Sequence, residues 1–228
     1  MKVLFIHHSS FLVETPTKYL LFDYYQGKLP EMDKDKPLYV FASHRHGDHF
    51  SPAVFALAGQ GQRVRYVLSD DIWRKRVPAT CLEQTVFLGP NEARCLEGMR
   101  IETLKSTDEG VAFVIETDGE TVYHAGDLND WYWEESSQEE NRAMTRAYRE
   151  EIGKLKGRAL DVAFVVVDPR QGEHYDRGIR YFMEHVQAKR VYPMHMWGEE
   201  SLAETCRNEE WAIPYRDRLQ NLESVTGL

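Results

Sequence analysis

Three histidines and an aspartate crowd into the segment 44–49, His-Arg-His-Gly-Asp-His, here called the ligand loop. His44 and His46 are two positions apart, and residues two apart in an extended chain point to the same side. Asp48 and His49 follow a glycine that lets the chain turn, so they can reach a second ion about 3.5–4 Å from the first. Imidazole and carboxylate ligands suit zinc, iron or manganese, and we expect one or two divalent ions.

The surroundings of this loop favour a catalytic metal site over a structural one. Structural zinc sites usually use cysteines and close all four coordination positions. The cysteines of this chain lie far apart, form no CxxC pair and are interpreted as small buried hydrophobic residues; they are Cys81, Cys95 and Cys206. The loop directly follows the predicted strand Leu38–Ala42, and functional side chains are often held on loops at strand ends.

Short hydrophobic segments bounded by turn residues predict the strands that would position this loop. In chain order they are Val3–Ile6, Phe11–Glu14, Tyr19–Phe22, Leu38–Ala42, Val64–Leu68, Thr85–Leu88, Arg100–Leu104, Val111–Glu116, Thr121–His124, Val162–Val167 and Val191–Met194. Asp118-Gly119 predicts a hairpin turn, Gln138–Lys156 has the spacing of an amphipathic helix, and Tyr175–Val186 can form another helix. The two halves of the chain therefore predict two β-then-α layers of one sandwich, a single domain of residues 1–228.

Composition and charge limit the partners of the protein. Its 228 residues are 42% hydrophobic, which suffices for a full buried core. The net charge of −9 argues against nucleic acid or an anionic membrane as a partner, because both require clustered Lys and Arg. The first apolar run is too short for a signal peptide, and no segment approaches membrane-spanning length. We expect a cytoplasmic protein that binds a small-molecule substrate and could form a homo-oligomer.

The ligand loop matches, without a gap, the His-x-His-x-Asp-His signature that follows a buried strand in the metallo-β-lactamase superfamily. The segments HHSSFLVET, YHAGD and PMHMWG resemble the first strands, the bridging-aspartate motif and the final-histidine motif of that superfamily. The chain most resembles the short lactonase-like hydrolases that include ascorbate-6-phosphate lactonase. The resemblance implies an α/β fold, a four-layer αββα sandwich, and a metal-dependent hydrolase.

The resemblance also implies six metal ligands. His44 and His46 would bind the first ion, Asp48, His49 and His195 the second, and Asp127 would bridge the two. Asp127 and His195 each follow a predicted strand, as the ligand loop does. Without that loop, Asp127 would be interpreted as a turn residue and His195 as a core histidine.

The chain departs from the superfamily in the loop before Val111–Glu116. Members with two full sites carry a further histidine there, whereas this chain has Ser-Thr-Asp-Glu-Gly at 106–110. Asp108 could replace the histidine, which would favour manganese or iron over zinc. Alternatively, the first site is weak or empty and Asp108 is an ordinary turn residue.

His8 follows the first predicted strand and is a further candidate. It could contact the substrate, shuttle a proton or complete a metal site, but a strand-end histidine bonded to a backbone carbonyl is an equal alternative. Asp23 is expected to support the ligand loop by hydrogen bonding. Arg170 could bind an anionic group of the substrate or pair with Asp168 in its own turn.

These residues predict a hydrolase of a small cytoplasmic metabolite, with a lactone, ester or phosphoester as the substrate group. A metal-bound hydroxide would be the nucleophile, with Asp48, His8 and Asp108 as catalytic residues. The alternative is a non-hydrolytic metal-binding protein that retains the fold with a degenerate first metal site.

Overall fold

Two six-stranded sheets form the centre of the protein in a computed structural model that describes residues 1–222. The last six positions of the predicted 1–228 domain lie outside the described residues. The first sheet contains, in spatial order, β1 (Lys2–His7), β2 (Ser10–Glu14), β3 (Tyr19–Phe22), β4 (Leu38–Ala42), β5 (Val64–Ser69) and β6 (Thr85–Leu88). The second contains β7 (Ala93–Leu96), β8 (Met99–Lys105), β9 (Val111–Thr117), β10 (Glu120–His124), β11 (Ala159–Val166) and β12 (Gln187–Met194).

The sheets pack face to face through an aromatic core. Phe11 lies 4.2 Å from Phe164, and Phe41 lies 5.3 Å from Phe113, measured between ring centroids. All five residues of β4 are buried, because alternate side chains pack into two hydrophobic cores on opposite faces of the sheet. Tyr39 and Phe41 face the second sheet, while its other side chains face outward under a helical layer. A strand covered on both faces therefore appears in sequence as an unbroken hydrophobic run.

Helices cover the outer faces of both sheets. The second sheet is covered by α1 (Gln138–Gly153), α2 (Arg177–His185) and α3 (Leu202–Asn208). The first sheet is covered by 3-10 helices at Pro52–Gln60 and Ala79–Gln84. The predicted four-layer αββα arrangement is therefore confirmed, with 3-10 helices as its first layer. None of the helices in residues 1–222 is long and apolar enough to cross a bilayer.

Strand direction brings the predicted site residues together. β3 to β6 are parallel, and so are β10 to β12. β1 runs in the same direction as β3, since each is antiparallel to β2. The residues that follow β1, β3 and β4 therefore meet those that follow β10, β11 and β12, at the carboxyl edge where open α/β sheets bind ligands.

The structure differs from the sequence predictions mainly at element ends and at polar elements. α1 ends at Gly153 rather than Lys156, because the Lys154 N–H bonds to the carbonyls of the preceding turn and tightens the chain. β7 and α3 were not predicted. β7 is a mostly exposed edge strand and carries Cys95, so the prediction that all three cysteines are buried is wrong for Cys95.

Asp118 ties the predicted hairpin turn to the first sheet. It accepts hydrogen bonds from the hydroxyl of Thr17 at 2.9 Å and the ammonium of Lys18 at 3.3 Å. Partial burial opposes ionisation, but bonds from Thr15, Thr17 and Lys18 outweigh it and lower the pKa of Asp118 to about 2. A carboxyl group with a lowered folded-state pKa stabilises the fold above its unfolded pKa, and this stabilisation is lost as pH falls through the folded value.

We expect Asp118→Asn to lower the free energy of unfolding at pH 7 by about 1 kcal/mol, since the turn lies at the surface and solvent screens its charges. Asparagine tolerates the positive φ of 52° at this position, so the backbone should persist. Urea unfolding between pH 7 and pH 2 measures the effect, with the exposed Asp35→Asn as control. The difference in the free energy of unfolding between Asp118→Asn and the parent should shrink toward pH 2. A difference that stays constant with pH would contradict the lowered pKa of Asp118.

Candidate metal centre

The ligand loop begins at the end of β4 and is held by three other elements. Asp23, after β3, accepts hydrogen bonds of 2.7 Å from both the backbone N–H and the hydroxyl of Ser43. The Ser43 carbonyl accepts a 2.9 Å bond from the Val111 N–H. Gly110 and Gly126 have positive φ, and a Cβ on either would collide with Ser43. Loops from both sheets therefore meet closely on one buried serine.

Four side chains form the second cluster, three of them the predicted ligands of the second ion: His8, Asp48, His49 and His195. Asp48 Oδ2 lies 3.5, 3.8 and 3.9 Å from the Nε2 atoms of His8, His49 and His195. All three nitrogens are buried and have no hydrogen-bond partner among the described residues. Because buried polar atoms are rarely left unpaired, three such nitrogens facing a carboxylate fit a cation.

Asp127 stands between the two clusters, where the predicted bridging ligand belongs. Its Oδ1 lies 3.1 Å from His49 Nε2 and 3.3 Å from His195 Nε2. Its Oδ2 lies 3.4 Å from His44 Nε2 in the other cluster. Each oxygen of one carboxylate thus faces a different histidine group.

Two buried carboxylates orient the imidazoles of the second cluster. Asp23 Oδ2 lies 2.7 Å from His49 Nδ1, and Asp168 Oδ2 lies 3.0 Å from His195 Nδ1. A carboxylate on Nδ1 holds the proton there and leaves the Nε2 lone pair for a metal. The supporting role expected of Asp23 is confirmed. The role of Asp168 was missed, although a carboxylate directly after a buried strand was a signal for it.

The first cluster contains His44, His46 and Asp127. His46 Nδ1 lies 3.0 Å from His44 Nε2 and therefore faces the cluster. Asp108 Oδ2 lies 3.9 Å from His46 Nδ1, and Glu109 Oε2 lies 3.3 Å from His46 Nε2, the outer nitrogen of the ring. Asp108 thus stands on the ligand side of His46, and Glu109 stands where an orienting carboxylate would. The sequence prediction considered Asp108 and did not foresee Glu109.

Comparisons with known proteins agree with this geometry. Residues 2–145 match the family model described as the Beta-lactamase superfamily domain. The chain belongs to the metallo-β-lactamase superfamily. A relative from Pelotomaculum thermopropionicum, named a metal-dependent hydrolase, is 30% identical over 148 residues, which cover 56% of this chain and 62% of that protein. One of the same name from Pyrococcus abyssi is 25% identical over 214 residues, 86% of this chain and 84% of that protein.

Solved structures support the metallo-β-lactamase fold. A metallo hydrolase from Ignicoccus hospitalis superimposes with a TM-score of 0.60 at 19% sequence identity. The alignment covers 85% of this chain and 81% of that protein. The fold expected from the sequence is thus confirmed. The chain spans about 62% of the length of the Pelotomaculum relative that it matches.

Electrostatics favour cation binding at this metallo-β-lactamase site. Burial lowers the pKa of His44 to about 4, so this imidazole is neutral at neutral pH, as a ligand must be. Burial also opposes ionisation of Asp127, but His49 and His195 outweigh it and hold the pKa well below the usual range. For His49, burial opposes the charged form, but the carboxylates of Asp127 and Asp23 raise the pKa well above its usual value. A proton on His49 therefore competes with a cation, and metal affinity should fall as pH falls.

Three further residues near the site, His124, Arg170 and Trp197, lie outside the two clusters. His124 is buried beneath them, and its two nitrogens bond to the Ser9 carbonyl and the Gly126 N–H. Arg170 forms the alternative contact foreseen for it, a forked ion pair with Asp168. Trp197 is 46% exposed beside His8, with ring centroids 4.8 Å apart, and forms part of the rim.

The aromatic residues that follow Asp127 lie in two different places. Trp131 is buried, donates its indole N–H to the Asp127 carbonyl at 3.0 Å, and lies 5.9 Å from the His195 ring. Trp133 stacks on Trp131 and packs against the core. Tyr132 points away and lines a separate cavity beside α1. Trp131 and Trp133 therefore support the metal site from beneath, whereas Tyr132 does not.

The positions of Asp108 and Glu109 lead to a direct prediction. Asp108→Ala should remove the first ion and keep the second, because only the first cluster lies beside it. Glu109→Gln should keep both ions and weaken the first by about 10–100-fold, the usual effect of losing a partner that orients a ligand. Elemental analysis after dialysis against metal-buffered solutions measures both. Retention of two ions at parent affinity by both variants would show that neither carboxylate serves the first site.

Proposed function

We propose that this superfamily member is a metal-dependent hydrolase of a small metabolite, with a lactone, ester or phosphoester as the scissile group. One observation carries the proposal. The Nε2 atoms of His8, His49 and His195 and the Oδ1 of Asp127 are buried and lack hydrogen-bond partners among the described residues. The three nitrogens cluster with Asp48, and those of His49 and His195 also face Asp127 Oδ1. A histidine and carboxylate set at a loop-lined sheet edge is typical of catalytic ions, whereas structural sites are usually cysteine-rich and closed.

The residues fit one or two divalent ions. The first ion would be held by His44, His46 and Asp127, with Asp108 beside them. The second ion would be held by Asp48, His49, His195 and Asp127, with His8 beside them. The carboxylate oxygens of Asp108 would favour manganese or iron in the first site. When bound, such ions lower the pKa of a coordinated water and polarise the oxygen of the scissile bond.

Asp48 and His8 supply the protein's own acid-base chemistry. Asp48 is 26% exposed and reaches the mouth of the site, while His8 is almost fully buried behind it. Burial lowers the pKa of His8, although Asp48 opposes this, so the imidazole is neutral and its Nε2 can accept a proton. His8 would take the proton of the attacking water and return it to the leaving group. If only the second site is filled, Asp108, which is exposed on the other side, is the alternative proton acceptor.

Metal reconstitution with a substrate panel tests the proposal. The purified protein is loaded separately with zinc, manganese and iron and assayed with γ-lactones, p-nitrophenyl acetate and bis-p-nitrophenyl phosphate. We expect one or two ions per chain and turnover that requires them. Bound ions without any rate enhancement would support the non-hydrolytic alternative, and no ion under any loading condition would refute the metal-centred function.

A further inference from the structure

A second cavity lies away from the metal centre, on the outer face of the molecule between α1, α2 and the loop after Asp127. Its volume is about 540 Å³, within the range of small-molecule sites. Three arginines line it, Arg142, Arg146 and Arg177, and none of its lining residues is acidic in the part of the chain that the structure describes. This is unusual on a chain of net charge −9, because carboxylates outnumber cations elsewhere.

The donors of these arginines are largely unused. Arg146 has no hydrogen-bond or ion-pair partner among residues 1–222, and Arg142 donates only to Gln138, at 3.2 Å. Arg177 pairs with buried Asp130 at 3.2 Å, yet its Nε is buried and unpaired within the same residues. Two uncompensated guanidinium groups therefore remain for a ligand.

The cavity is also preorganised. Thr145 donates to Asp130 at 2.6 Å and accepts from Arg177 at 3.1 Å, which fixes Arg177 beneath the cavity floor. The Arg177 guanidinium also lies 5.0 Å from the Tyr132 ring centroid. Arg142 and Arg146 are four residues apart on α1, so their side chains project from the same face of the helix. The Arg177 guanidinium, held in this way, matches the oxygens of phosphate or carboxylate.

We propose that this cavity is a binding site for a small anion that carries phosphate or carboxylate groups, separate from the metal centre. None of the residues lining the cavity belongs to either metal cluster. Trp131, which lies 5.9 Å from the His195 ring, is buried and does not line the cavity. The ligand is recognised by at least two guanidinium groups, and a molecule with two anionic groups therefore binds more tightly than inorganic phosphate.

Calorimetric titration of the metal-loaded protein with pyrophosphate, and separately with citrate, tests the proposal and shows which anionic group is preferred. We expect saturable binding with a Kd below about 1 mM, and at least about tenfold weaker binding in Arg142→Gln/Arg146→Gln, since charge-assisted hydrogen bonds are lost. Arg149→Gln is the matched control, because Arg149 lies on α1 but contacts Tyr181 instead of the cavity.

Because pyrophosphate can also bind metal ions, the titration is repeated with Asp127→Asn, which disrupts the metal centre and leaves the cavity intact. Binding that persists in Asp127→Asn and is lost in the double arginine variant supports the site. Circular dichroism confirms that the variants are folded. Parent-like binding by the double variant, binding lost in Asp127→Asn, or no saturable binding of either anion below about 1 mM would overturn the proposal.

Discussion

Asp127→Asn is expected to lower the number of bound metal ions by at least one and to lower kcat/KM by about a thousandfold or more. Its two carboxylate oxygens face His49 and His195 on one side and His44 on the other. An amide keeps the shape but removes the negative charge and one of the two acceptor oxygens. Metal ions contribute several kcal/mol to stabilisation of the transition state, and about 4 kcal/mol corresponds to a thousandfold in rate.

Asp130→Asn is the matched control for this experiment. Asp130 is three residues further along, is equally buried, and pairs with Arg177 and Thr145 rather than with the histidines. Its substitution should affect stability without changing metal content. Metal is measured by elemental analysis, and turnover with whichever panel substrate the parent hydrolyses. Two retained ions in Asp127→Asn, with parent-like turnover, would exclude Asp127 as a bridging ligand.

Asp23→Ala should have the largest effect on stability, lowering the free energy of unfolding by about 3–5 kcal/mol. The Asp23 carboxylate is fully buried and bonds to the Ser43 N–H, the Ser43 hydroxyl and His49 Nδ1, each at 2.7 Å. Alanine leaves these buried donors without an acceptor, and each unsatisfied group costs about 1–3 kcal/mol. Because His49 also loses its orienting carboxylate, metal affinity should fall by about 10–100-fold.

Asp23→Asn separates packing from charge. Asparagine can still accept the bond from the Ser43 N–H and tolerates the positive φ of 42° at this position. The free energy of unfolding of Asp23→Asn should therefore lie between the values of the parent and Asp23→Ala. Its metal affinity should fall as much as that of Asp23→Ala. Urea unfolding and competitive metal titration give the two readouts. Parent-like metal affinity in both variants would mean that Asp23 supports the fold alone.

Most strands were predictable because they are buried on both faces. β3 and β4 are buried throughout and have the bounds expected from their hydrophobic runs, as does the partly buried β6. β7 was not predictable, since an exposed edge strand carries no such run. α2 was expected at Tyr175–Val186 but covers Arg177–His185, because Tyr175 and Asp176 form a turn after the 3-10 helix Pro169–His174. Local hydrogen bonds determine where helices and strands end, and the hydrophobic pattern of a sequence does not report them.

The sequence by itself determined which side chains are available to bind metal. The ligand loop carries four of the six predicted ligands within one short segment, so their proximity follows from covalent connection alone. Asp127 and His195 were added through the resemblance to the superfamily's motifs, and each lies shortly after a predicted strand. These assignments remain predictions about metal binding, although the structure brings all six residues together in two clusters.

Only the tertiary structure decided which carboxylate serves which histidine. Asp23 meets His49 across 26 residues of chain, and Asp168 meets His195 across 27. Asp108 and Glu109 are adjacent in sequence, yet they face opposite nitrogens of His46. Such pairings depend on where loops from two packed sheets meet and on which way each side chain turns, and no local pattern encodes either. The sequence therefore determined the ligand types, and the packing of the sheets determined their orientation.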